Sequence, residues 1–266
     1  MTPQDGNLLR VSGLCKHFFG IRAVNDLNFG VAAGSITGLI GPNGSGKTTS
    51  IDCLSGFQRP DTGKVVFDGA DIFGLPPQRV AKCGLVRTFQ NVRVYDALTV
   101  SENLVIAQQE HGRGMRWRDV LFRPQRIRRQ DDAARERAQA LLELVGLSHH
   151  IASPAGVLSY GQKKLLALAG GLMASPKLMV LDEPLAGVNP TVIRRIEGIV
   201  HEVNRQGVTF LIVEHNMTFI MNHCNAIVVM DAGSKLAEGS PDVISSDARV
   251  LDAYLGKRPI AEASHG

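Results

Sequence analysis

Gly41-Pro42-Asn43-Gly44-Ser45-Gly46-Lys47-Thr48-Thr49, directly after the apolar run Ile36 to Ile40, decides the fold. It reads glycine, four residues, then Gly-Lys-Thr, between a strand pattern and a helix-compatible segment from Lys47 to Ser55, which is the context a phosphate-cradling loop needs. Glycines at 41, 44 and 46 let the backbone turn tightly, so that successive N–H groups converge on phosphate oxygens. The helix starting near Gly46 adds the positive end of its dipole. Lys47 then reaches the β- and γ-phosphates as a point charge, and the Thr48 hydroxyl is placed to ligate magnesium. A glycine-rich turn that binds nothing would match the four fixed positions in about one such chain in a hundred. The flanking strand and helix make that coincidence rarer.

A second stretch, Leu178 to Pro184 (LMVLDEP), supplies the matching carboxylates. Four apolar residues without a polar break predict a strand buried on both faces. Asp182 stands where that strand leaves the sheet, the edge at which α/β proteins bind ligands, and is expected to hold magnesium through water. Glu183 is the candidate general base for a water attacking the γ-phosphate. A helix-capping Asp-Glu pair after a core strand is the plainer alternative, and the neighbouring phosphate loop weighs against it.

At 266 residues the chain can bury a substantial core as one α/β unit with an inserted piece. The formal charge of +4 demands no nucleic acid. Basic residues nevertheless crowd one stretch: arginines 113, 116, 118, 123, 126, 128, 129, 135 and 137 face few acids, which suits a solvated helix face first, or else an acidic partner or a membrane surface. Four dispersed cysteines, without a Cys-x-x-Cys pair, point to neither a disulfide framework nor a zinc site, and a reducing cytosol is the natural compartment. No stretch has the roughly 18 uninterrupted apolar residues of a membrane span, and the first residues lack a basic-then-apolar leader. Work at a membrane would require docking on other subunits.

Along the chain, Leu8 to Val11 and Val24 to Val31 read as strands around a turn at Phe19-Gly20. Lys64 to Phe67 follows as a strand after the turn at Arg59 to Gly63. From about 91 to 157 the character becomes helical, with Val100 to Gln109 and Asp131 to Val145. The second places Ala134, Ala138, Leu141, Leu142 and Val145 on one face. Ser159 to Met173 is a further helix. Strands at Leu178 to Leu181, Val208 to Val213 and Ala226 to Met230 then alternate with helices at Thr191 to Asn204 and Asn216 to Asn222, which implies a parallel sheet with crossover helices.

With Leu158-Ser159-Tyr160-Gly161-Gln162 read beside the phosphate loop, Gln90, the Asp182-Glu183 pair and His215, the chain resembles the ATP-binding cassette (ABC) ATPases. Each motif is weak alone; the ordered series is specific and spans nearly the whole sequence. The resemblance implies a P-loop NTPase (RecA-like) parallel-sheet core, about 1–90 and 158–256, with an N-terminal antiparallel β subdomain, an inserted helical subdomain at about 91–157 and a loose tail from 257. It implies ATP and magnesium, and a head-to-tail dimer in which one subunit's phosphate loop and the other's signature helix clamp ATP. Ser159, Tyr160, Gly161 and Gln162 would act there in trans, Ser159 through its hydroxyl and Gly161 through its backbone N–H. By the same resemblance Gln90 contacts magnesium and water and couples nucleotide state to transport subunits, and His215 contacts the γ-phosphate and holds the Glu183-water arrangement. Phe18 matches the position that stacks on adenine, with Phe19 as competitor and Val24 helping to close the pocket. Two departures stand out: Tyr160 where the family most often has glycine, and Asn189 where many members have aspartate.

A narrower resemblance rests on IGPNGSGKTTSIDCLSGF, VRTFQNVRVYDALTVSENL, the basic insert, LDEPLAGVNP, VEHNM and VLDAYLG. These are similar to the larger of the two ATPases of branched-chain amino-acid importers. The implied partners are integral membrane permease subunits, a second ABC ATPase in a homo- or heterodimer and, indirectly, a periplasmic solute-binding protein, at the cytoplasmic face of the inner membrane. Related importers of urea or short amides, an export ATPase, and a soluble cassette acting on ribosomes or DNA are the alternatives.

Overall fold

The computed structural model describes residues 6–88, 94–111 and 124–255; Gln90 and the first four arginines of the basic stretch lie outside them. Two strands, β1 (Asn7–Phe18) and β2 (Ile21–Ala32), form a long hairpin. Its turn residues Phe19 and Gly20 have φ of 46° and 88°, the paired left-handed conformation that matches the twist of a two-residue hairpin. The Phe19 ring is wholly exposed. With β4 (Thr62–Phe67) and β5 (Ala70–Asp71) these strands make an antiparallel sheet ordered β2-β1-β4-β5.

The larger sheet runs β10-β9-β3-β8-β7-β6. Its centre is β3 (Ile36–Ile40), β8 (Thr209–Val213) and β7 (Leu178–Asp182), in which every residue is buried. This is why those runs are almost wholly apolar, with Thr37, Thr209 and the terminal Asp182 the polar residues among them. Strands β6 (Leu85–Thr88) and β9 (Ala226–Asp231) extend the parallel sheet, and β10 (Ser234–Gly239) pairs antiparallel at one edge. The crossover helices are α1 (Lys47–Leu54), α2 (Pro77–Cys83), α3 (Val100–His111), α4 (Pro124–Val145), α5 (Tyr160–Met173), α6 (Pro190–Arg205) and α7 (Met217–His223); α8 (Pro241–Ser246) and α9 (Ala248–Leu255) follow β10.

Two cores sandwich the sheet. On one side the antiparallel strands and α1 pack Leu9, Leu27, Ile51 and Phe67 against Leu39, Val180 and Leu211. On the other, α3, α4, α5 and α6 bury Leu104, Ala138, Leu142, Leu168, Leu172 and Ile199 against Met179, Leu181, Phe210 and Ile212. Alternation of side chains along each buried strand sends neighbours to opposite cores. The apolar face expected on α4 is the buried one, with Ala134, Ala138, Leu142 and Val145 inside. The helix itself begins earlier than its apolar spacing foretold, at Pro124, because a polar Arg-rich segment continues a helix without contributing to the core.

Candidate active site

The phosphate loop follows β3 and packs against β2, β9 and the β9–β10 turn. Gly41 has φ of 152°, and a Cβ there would sit 2.2 Å from the Met230 carbonyl oxygen of β9. Gly46 has φ of 97°, and a Cβ would meet the Ala23 carbonyl of β2 at 2.3 Å. Both glycines are thus required by packing as well as by the turn. The Gly233 N–H in the β9–β10 turn donates to the Ser45 carbonyl at 3.1 Å, fixing the loop from beneath. Gly46 caps α1 and brings no side chain to its first turn, so that end of the helix faces the loop's concavity with its positive pole. Lys47, 6 % exposed, folds its ammonium onto the Gly41 and Pro42 carbonyls at 2.7 and 3.0 Å. Thr48 is exposed beside it.

Strand β7 places Asp182 at its last position, and the parallel register pairs Asp182 with Val213 of β8. The next residue, Glu183, and His215 therefore leave adjacent strands side by side, with His215 Nε2 2.9 Å from Glu183 Oε1. Glu183 has φ of 48°, and its N–H donates to the Val213 carbonyl at 2.9 Å. A left-handed backbone at a non-glycine residue costs roughly 1–2 kcal/mol, and here it turns the carboxylate out of the sheet toward His215. Buried Glu214 accepts from the Leu185 N–H at 2.7 Å and from the His215 N–H at 3.0 Å, stitching the two strand exits together.

Asp182 does not stand alone. Arg87, from β6, bridges it at 2.8 Å to Asp52 of α1, and both the Arg87 and Asp182 side chains are 6 % exposed. Burial pushes the Asp182 carboxyl above the usual carboxylate range; the Arg87 guanidinium opposes this, and the charges of Glu183 and Asp52 add to it.

At the start of α5, Ser159 Oγ accepts from the Gln162 N–H at 3.3 Å while Gln162 Oε1 accepts from the Ser159 N–H at 2.9 Å, a complete capping box. That bond uses a lone pair of the hydroxyl and leaves its proton available for an external acceptor.

These features have counterparts in known proteins. The sequence profile described as ABC transporter matches residues 24–186, and that of the branched-chain amino acid ATP-binding cassette transporter matches residues 234–259. The chain belongs to the ABC transporter family. It is 40% identical over 251 residues to the high-affinity branched-chain amino acid transport ATP-binding protein BraF of Pseudomonas aeruginosa, covering 94% of this chain and 98% of that one. It is 38% identical to LivG of Escherichia coli, of the same description, with the same coverage. Among solved structures, an ATP-binding cassette of an ABC transporter in its ADP conformation superimposes with a TM-score of 0.81 at 36% identity, covering 94% of this chain and 99% of that one. As an ABC ATPase, the chain binds and hydrolyses ATP.

Within that family the two departures acquire local reasons. The Tyr160 ring covers Gly187, where a Cβ would lie 3.2 Å from it, so it packs against its own subunit. Asn189 caps α6, accepting from the Val192 N–H at 3.0 Å, a role aspartate fills equally. Phe18 is half-buried at the end of β1, with the Lys16 ammonium 5.2 Å from its ring centroid. Val24 is fully buried in the core under the antiparallel sheet. Other histidines have protein partners, His17 with Asp61, His150 with Gln162, and His223 with His201 and Glu197.

Sequence reasoning missed Asp52, Arg87, Lys164 and Glu214. A signal existed for one: Glu214 is a carboxylate directly after the buried strand that ends in His215, where a charge must find partners.

Proposed function

We propose that this chain is the ATP-hydrolysing subunit of an importer of branched-chain amino acids, a peripheral subunit on the cytoplasmic face of the inner membrane. The observation that carries the cargo class is likeness along 94% of the chain to branched-chain amino acid transport ATP-binding proteins, together with the matching profile over residues 234–259. Among the described residues no helix is long and apolar enough to cross a membrane. Integral permease subunits and, beyond them, a solute-binding protein would therefore handle the solute, with no role for nucleic acid.

In the proposed cycle two ATPase subunits, identical or paired with a second kind, close head to tail on ATP. Gly41 to Thr49 cradle the phosphates, Lys47 leaves its carbonyl partners for the β- and γ-oxygens, and Phe18 stacks on the adenine. Ser159 and the Gly161 N–H of the opposite subunit meet the γ-phosphate, with Tyr160 and Gln162 shaping that helix start. Glu183 accepts the proton of the attacking water, and His215 holds the carboxylate in place. Magnesium fits the residues present: Thr48 and Asp182 are oxygen donors suited to a hard cation, Asp182 lies among other carboxylates, and Gln90 would complete the set. Magnesium would neutralise charge on the phosphates.

The test is uptake of labelled leucine into cells lacking the native system and expressing this chain with its permease and binding-protein partners. The proposal expects uptake that Glu183→Gln abolishes. Undiminished uptake in that variant, or none from the intact system while urea or an amide enters, contradicts it.

A further inference from the structure

Several contacts fasten the start of α5 to the segment that follows β7. Lys164, 8 % exposed, donates from its ammonium to the Glu183 carbonyl at 2.9 Å and to the Pro184 carbonyl at 3.3 Å. The same ammonium lies 5.6 Å from the Tyr160 ring centroid, and that ring covers Gly187. Gly161 has no room for a side chain either, since a Cβ would meet Val192 of α6 at 2.8 Å. The signature helix and the stretch from Glu183 to Val192 are therefore joined at three places, and only Lys164 reaches the catalytic residue itself.

The place it reaches matters. Glu183 keeps φ of 48°, a conformation that persists where the surroundings over-determine it. Its N–H is held by the Val213 carbonyl, and its carbonyl by Lys164 and by the Ala186 N–H at 3.2 Å. Fixing both flanking peptides fixes the direction in which the carboxylate leaves the chain. Lys164 and Glu183, with Asp182 and Ile196, also line a small pocket of about 30 Å³.

We propose that Lys164 is the positioning residue for the catalytic carboxylate, and that through it the helix engaging the opposite subunit's nucleotide sets the geometry of its own subunit's base. The inference rests on the two-subunit reading above. Closure of Ser159 and Gly161 on the partner's nucleotide moves the start of α5, and Lys164 carries that movement into the Glu183 peptide. A compact ammonium suits the task because it donates to two adjacent carbonyls at once.

The test compares Lys164→Met, which keeps the length and removes the donors, with Lys164→Arg, which restores donors. ATP turnover and ATP-driven dimer mass are read for both, and dimer mass is also read for Glu183→Gln with and without Lys164→Met. Lys164→Met is expected to lower kcat about 10- to 100-fold, as a slightly misplaced base does, with KM for ATP within about twofold and the Hill coefficient reduced toward one. Lys164→Arg is expected to recover much of kcat, and Glu183→Gln/Lys164→Met to dimerise with ATP as Glu183→Gln does. Turnover of Lys164→Met within about twofold of the wild type overturns the proposal. Loss of the dimer only when Lys164→Met is added also overturns it, because Lys164 would then merely build α5. Failure of Glu183→Gln alone to dimerise rejects the two-subunit reading and with it the cross-site link.

Discussion

His215 Nε2 and Glu183 Oε1 stand 2.9 Å apart because β7 and β8 are parallel neighbours whose exits are in register. The contact joins one exposed ring to one half-buried carboxylate, so it orients and does not bury charge. His215→Ala should therefore lower kcat about 10- to 100-fold while leaving ATP affinity within a few-fold. Steady-state turnover beside equilibrium binding of a fluorescent ATP analogue checks this, and loss of binding equal to the loss of turnover would contradict it.

Arg87 makes a sharper prediction about stability. Its guanidinium is buried between Asp52 and Asp182, so Arg87→Met leaves a buried carboxylate without its counter-charge. Breaking such a pair from one side costs about 3–5 kcal/mol. Urea unfolding should show that loss, and Asp182→Asn placed on top of Arg87→Met should recover part of it. A double variant no more stable than the single one would mean that Asp182 is not the group left stranded.

The pH dependence should show in the turn that presents Phe18. Asp61 accepts the His17 backbone N–H at 2.7 Å, the Lys16 ammonium at 3.1 Å and a contact from the His17 ring at 3.0 Å, and these lower its carboxyl to about 2. Because the folded value lies below the ordinary 3.8, the stabilisation is present above about pH 4 and disappears as pH falls toward 2. Asp61→Asn should unfold at lower urea than the wild type at pH 7, with the difference shrinking across that window. A difference constant from pH 7 to pH 2 would reject the assignment.

How much of this was legible in the sequence depends on what each residue answers to. The buried strands β3, β7 and β8 announced themselves because a strand covered on both faces is predominantly apolar. The phosphate loop did so because its glycines are fixed by local φ and by backbone contacts a few ångströms away. Short β6 and polar β10 carry no such pattern; each is a strand by virtue of the neighbour it pairs with. Arg87 and Lys164 were illegible for the same reason, since a lysine in a helix looks like a solvated one until the strand exit beneath it is in place, whereas Glu214 betrayed itself as a carboxylate directly after a buried strand. Val24, a position suggested by family likeness, lies fully buried in the core.

The central claim is that Glu183 is the base of a nucleotide-clamped ATPase, and the most direct measurement is magnesium-ATP turnover by the purified chain and by Glu183→Gln, with light-scattering mass taken in parallel. The account predicts turnover in the wild type, its loss in the variant, and an ATP-stabilised dimer appearing in the variant. A variant that turns over ATP like the wild type, or stays monomeric with ATP while the wild type hydrolyses it, would contradict the account.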